Sequence, residues 1–167
     1  MTLRLILIRH AKSAWDDPLQ DDHDRVLNKR GQRAAPAIAQ WLVERGYVPA
    51  EVVSSTARRT LETWERMAPA FPEHTVMRRE PGLYHASADR MLSALHDCAA
   101  SPVMMLGHNP GIAEFAARLL AKPPAHPRFA TYPTCAALVA DFEAADWAEV
   151  RFGTGRVVDF VVPRDLE

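Results

Sequence analysis

Apolar positions along the chain come in short β-rich runs that alternate with longer amphipathic ones, without internal repeat or low-complexity tract. That alternation predicts an α/β fold. LRLILI, from Leu3 to Ile8, reads as a buried strand. From Asn28 to Gly46 the spacing predicts a helix, with Asn28 as N-cap and Gly46 as its stop. Pro36 inside it predicts a kink or a late start. EVVSS follows as a second strand, TARRTLETWERMAPAF as a helix ending near Pro69, and TVMR as a third strand. Ser87 caps a helix through about Ala99, a strand runs from Val103 to Leu106, and IAEFAARLLA continues a helix from about Pro110. KPPAHPRFATYP reads as a loop, and CAALVADFEA and RVVDFVVP as two closing strands. The expected architecture is a three-layer sandwich, a mostly parallel central sheet with helices on both faces, whose last two strands can pair antiparallel.

At 167 residues the chain is long enough for one core and short for two, so residues 1–167 are read as one domain. Twenty basic residues balance 21 acidic ones for a net charge of -1, which argues against a general nucleic-acid or membrane-surface binder. A bound anion therefore needs a local cluster of cations. The opening MTLRLILIRHAKS has Arg4 in its apolar run and no small-residue cleavage site, so it does not read as a signal peptide. No stretch approaches the ~20 apolar residues of a membrane span. Cys98 and Cys135, far apart and without metal-type spacing, fit packing positions in a reducing cytoplasm.

Chemistry gathers where strands end. Arg9-His10, Arg58 and Gly107-His108 each follow a predicted strand, and ligands of open α/β sheets bind at that edge. Two histidines and two arginines repel one another unless an anion joins them. Arginine supplies a planar fork matched to phosphate oxygens, and the helix start after His108 adds backbone N–H groups. These features describe a phosphate pocket in which a neutral imidazole can attack phosphorus.

The residues resemble the histidine phosphatase superfamily, whose fold is phosphoglycerate-mutase-like. Arg9-His10 is similar to its Arg-His-Gly signature, with Ala11 at the third position. SSTARRT, Ser54 to Thr60, resembles the segment that supplies a second phosphate-binding arginine, matched by Arg58, with Arg59 as the alternative. GHNPG, Gly107 to Gly111, resembles the segment of the second histidine, matched by His108. With DRVLNKRG and GLYHAS, the order of motifs is most similar to the SixA-type phosphohistidine phosphatases.

The resemblance implies His10 as a nucleophile that becomes phosphorylated, with Arg9, Arg58 and His108 on the phosphoryl oxygens and Asn109 beside them. It sets Ser13 and Asp16 along the pocket rim, and Glu80 as the candidate general acid, or else a charge in a turn before Pro81-Gly82. No cofactor or metal is implied. His23, His74, His85, His96 and His126 lack metal-ligand spacing and read as loop or surface residues, His85 nearest the pocket. The tryptophans and methionines read as packing. Arg25, Lys29, Arg30 and Arg33 read as a solvated helix face that can also greet an acidic protein substrate. The expected substrate is a phosphohistidine-carrying protein, with small phosphomonoesters as the runner-up. A non-catalytic phosphate-binding module is a third reading, disfavoured by the presence of both histidines, and a zinc hydrolase is disfavoured for want of further ligands.

Overall fold

The computed structural model describes residues 1–167. Six strands form one sheet: β1 (Thr2–Arg9), β2 (Glu51–Ser54), β3 (Met77–Arg79), β4 (Val103–Gly107), β5 (Ala137–Glu143) and β6 (Arg156–Val161), in the order β3-β2-β4-β1-β5-β6. The first four pair in parallel. β5 pairs antiparallel with β1, and β6 with β5. The helices are α1 (Lys29–Glu44), α2 (Arg58–Met67), α3 (Ala88–His96) and α4 (Gly111–Leu119), and none is long and apolar enough to cross a membrane.

Strand periodicity explains why the run LRLILI is apolar at every position but Arg4: successive side chains leave a strand on opposite faces, and here both faces are covered. Leu5 and Leu7 join Val103, Met105, Met91 and Phe115 in a core under α3 and α4. Ile6 and Ile8 join Met104, Leu106, Ile38 and Trp64 in a second core under α1 and α2. Arg4, the charge in that run, lies opposite Asp141 of β5 and binds its carboxylate through two hydrogen bonds of 2.8 and 2.9 Å. Cys98 and Cys135 are buried, and burial pushes both thiols up to about 12.

Several expected boundaries shift. Asn28 does cap α1, its side chain accepting from the Gly31 amide, but Pro36 neither breaks nor delays the helix, which runs on to Glu44. Pro36 sits on the exposed side, where water can satisfy the carbonyl that its missing N–H leaves free. The second helix starts at Arg58 and gives way to a 3-10 turn over Ala68–Ala70, containing Pro69. The third strand starts two residues later than TVMR and ends one later, at Arg79, with Val76 exposed and pairing beginning at Met77 against Val52.

Candidate active site

The strand ends at the carboxyl edge deliver the chemistry to one cleft of about 320 Å³, lined by Arg9, His10, Ser13, Asp22, Arg25, Arg59, His85, His108 and Asn109, with Lys12, Trp15 and Thr134 at its borders. β1 and β4 are adjacent and parallel, with Arg9 opposite Gly107 in register, so His10 and His108 leave neighbouring strands at the same level. Their rings stand 5.3 Å apart at 50°. The His10 amide donates to the Gly107 carbonyl at 3.1 Å, which locks the two strand ends together.

His10 is only 6 % exposed, and its Nδ1 lies 2.7 Å from the Ala11 carbonyl oxygen. A carbonyl can only accept, so Nδ1 carries the proton and Nε2 keeps its lone pair. Burial is the main cause that pushes His10 down to about 3; the Ala11 carbonyl opposes it, while the positive charges of Arg59 and Arg9 add to it. His108, pushed down to about 2 chiefly by burial and then by His10, Arg59 and His85, is neutral as well. Its Nε2 lies 2.8 Å from the Ser55 hydroxyl, and its Nδ1 is buried without a hydrogen-bond partner in the protein.

Arg9 sends one guanidinium nitrogen to the Tyr132 carbonyl at 3.1 Å, and burial lowers its pKa, with Arg59 adding to the effect. The same carbonyl accepts from the Asn109 side chain at 3.2 Å, while the Asn109 oxygen takes the Ala113 amide in the first turn of α4. Tyr132 is itself fixed by its hydroxyl donating to the Leu7 carbonyl at 2.6 Å. The Cys135 amide closes the arrangement on the carbonyls of Arg9 and His10. The segment read only as a loop before β5 is thus the backing of the site.

Of the sequence-derived candidates, Arg9, His10, His108, Asn109 and Ser13 line the cleft. Arg58 does not, and the expected register is corrected by one residue: Arg58 turns outward to a paired contact with Glu65 at 2.8 and 3.1 Å, whereas Arg59 is buried and lines the cleft. Helical geometry is the reason, since successive residues of α2 point about 100° apart and only one can face the strand ends. Glu80 also lies outside the lining. Its carboxylate caps a 3-10 turn by accepting from the Gly82 amide at 2.9 Å, and it sits near Arg78 and Arg90. Asp16 is exposed and off the cleft.

Three contributors escaped the sequence reading. Asp22, in a 3-10 turn, holds Arg25 and Arg59 and accepts the Tyr84 hydroxyl at 2.6 Å. Despite a burial effect in the opposite direction, the Tyr84 hydroxyl, Arg59 and Arg25 lower its pKa, so it is ionised at neutral pH. Ser55 orients His108. Trp15, expected in the packing, is 69 % exposed and stacks on the Arg25 guanidinium at 3.1 Å from the ring centre. His85, read as the surface histidine nearest the pocket, lines the cleft.

The family model of the histidine phosphatase superfamily (branch 1) matches residues 5–85. An uncharacterized chloroplastic protein of Arabidopsis thaliana is 38% identical over 128 residues, covering 70% of this chain and 58% of its own length. An uncharacterized protein of Mycobacterium tuberculosis is 31% identical over 94% of this chain and 100% of its own. Among solved structures, candidate phosphohistidine phosphatases named SixA superpose throughout. That from Agrobacterium tumefaciens has a TM-score of 0.77 at 29% identity, covering 96% of this chain and 98% of its own. That from Nakamurella multipartitia has 0.80 at 26%, covering 98% and 97%. A mycobacterial glucosyl-3-phosphoglycerate phosphatase shares the fold at 0.63 and 19% identity, covering 95% and 98%. With an arginine-histidine pair, a second histidine and a buried arginine joined at the carboxyl edge of a phosphoglycerate-mutase-like sheet, this chain belongs to the histidine phosphatase superfamily.

Proposed function

We propose that this phosphatase removes phosphate from phosphohistidine borne on a protein, by way of a phosphorylated His10. The unprotonated Nε2 of His10 donates its lone pair to phosphorus, and the bond from phosphorus to the substrate imidazole breaks. The electron pair goes to that imidazole nitrogen, which takes up a proton. Water then attacks the phosphorus on His10, loses a proton, and returns the electron pair to Nε2 as inorganic phosphate leaves. Arg9, Arg59 and His108 surround His10 and stabilise the charge on the phosphoryl oxygens during both steps.

The observation that carries the substrate reading is the kind of acid the cleft provides. Asp22 is the one carboxylate in its lining, and two arginines and a tyrosine keep it ionised. Glu80 is occupied elsewhere. An alkoxide leaving group needs a delivered proton, whereas an imidazole, with a reference pKa of ~6.5, is readily protonated near neutrality. The test compares turnover of a phosphohistidine peptide with that of a panel of alkyl phosphates, and traps the intermediate by a quench without acid. Label stable to alkali, lost in acid and absent from His10→Ala is expected. Efficient ester hydrolysis without action on phosphohistidine would transfer the assignment to phosphomonoesters, and label on another residue would remove the mechanism.

A further inference from the structure

Beside the catalytic cleft the surface carries a second, unassigned concentration of positive charge. Lys12 and Thr134, which line the cleft, also line an adjoining depression of about 150 Å³ with Arg30, Arg128 and Arg164. Arg30 in turn borders a further depression of about 200 Å³ that includes Arg33. These five cations come from four separate places in the chain: the turn after β1, the start of α1, the segment before β5 and the C-terminal turn. Helix periodicity accounts for Arg30 and Arg33 sharing a face, but not for Lys12, Arg128 and Arg164 converging on it.

Their charges are thinly balanced. Arg30 has Glu167 at 3.9 Å, while Asp165 is taken by the His126 ring and the Val162 amide. Ion pairs elsewhere hold Arg4, Arg25, Arg58, Arg59 and Arg66, yet none holds Lys12, Arg33, Arg128 or Arg164. In a chain of net charge -1, this is a local excess that side-chain packing does not require.

We propose that this basic track docks an acidic stretch of the phosphorylated protein, next to the residue being dephosphorylated; the proposal rests on the protein-substrate reading above. All five side chains are exposed, and they spread over two adjoining shallow depressions rather than converging in a dry pocket. Such hydrated cations suit many weak, salt-sensitive contacts with carboxylates, which steer encounter and select partners more than they tighten binding. A second phosphate of a small substrate would instead call for a few buried, converging donors.

The experiment uses two phosphohistidine peptides that differ only in flanking glutamates or flanking serines. In the parent at low salt kcat/KM should favour the acidic peptide by roughly tenfold, and high salt should remove the preference. Arg128→Ala/Arg164→Ala should bring the acidic peptide down to the level of the neutral one, leaving the neutral peptide within about twofold. Arg128→Lys/Arg164→Lys should keep most of the preference, since charge and not fork geometry is at work. Equal turnover of both peptides by the parent, or equal losses on both in the alanine variant, overturns the docking site. Should neither phosphohistidine peptide be hydrolysed, the substrate reading fails on its own. Anisotropy of a labelled, unphosphorylated glutamate-rich peptide then still decides the track: salt-sensitive binding abolished in the alanine variant supports it, and no binding overturns it.

Discussion

Arg59 gripping Asp22 is the contact that ties the arginine of α2 to the phosphate cleft: its guanidinium donates to the Asp22 carbonyl at 2.8 Å and to the Asp22 carboxylate at 3.1 Å. A fork held at both ends stays in one position while its charge acts on His10. Arg58, one residue earlier, spends its own fork on Glu65. Arg59→Ala should therefore lower kcat/KM by ~100-fold or more, and Arg59→Lys should recover only part of the loss. Arg58→Ala should stay within about threefold of the parent. The reverse ranking in steady-state assays would restore the sequence register.

What could be read without coordinates follows the physics of each signal. The apolar run of β1 and the run from Val103 to Leu106 announced themselves because both faces of these strands are buried, and their ends fixed His10 and His108. The motif pointed to Arg58 ahead of Arg59 because it gives only order along the chain, while a start of α2 uncertain by one residue rotates the arginine by about 100°. Asp22 was hidden in DDHD, a stretch with the composition of any solvated turn. Its role exists only through Arg25, Arg59 and Tyr84, partners up to 62 positions away.

Asp22→Asn separates two effects of that carboxylate. As an anion it competes with phosphate for Arg59 and repels the dianion, and as an acceptor it positions Arg59 and Tyr84. The amide keeps one oxygen but no charge. Inorganic phosphate should inhibit the variant several-fold more strongly than the parent, while kcat falls by about tenfold as the arginine loosens. Weaker phosphate inhibition in the variant would show that the carboxylate serves the bound anion only by holding its ligands.

The two buried histidines also set the acid stability of the fold. In the unfolded chain each titrates near 6.5, but in the folded chain His10 lies at about 3 and His108 at about 2. Below about pH 6.5 the unfolded state therefore binds protons that the folded state refuses. Stability present at neutral pH should decline as pH falls from about 6.5 to about 3, by up to ~1.4 kcal/mol per pH unit for each histidine. Urea unfolding at pH 7, 6 and 5 should show this slope, and His10→Gln should flatten it. Identical slopes for parent and variant would mean that His10 is charged in the folded protein, and its ring nitrogens in a nuclear magnetic resonance titration would then shift near pH 6.5.

Glu80 offers the sharpest test of how the leaving group departs. Its carboxylate accepts from the Gly82 amide and lies 3.8 Å from Arg78 and 3.9 Å from Arg90, outside the lining of the cleft. A general acid must come within hydrogen-bond reach of the departing atom, and removing a true one typically costs ~100- to 10,000-fold. Glutamine keeps the oxygen that caps the turn, so Glu80→Gln should fold like the parent and turn over phosphohistidine peptide within about twofold. His85, the third imidazole of the lining, is exposed 4.0 Å from Asp22, and His85→Gln should cost less than about tenfold. A loss above ~100-fold on phosphohistidine in Glu80→Gln would require the turn over Pro81–Leu83 to swing its carboxylate into the cleft on substrate binding. That outcome would return proton delivery to the residue that the sequence resemblance first indicated, and would remove the argument that the cleft lacks an acid for alkoxide leaving groups.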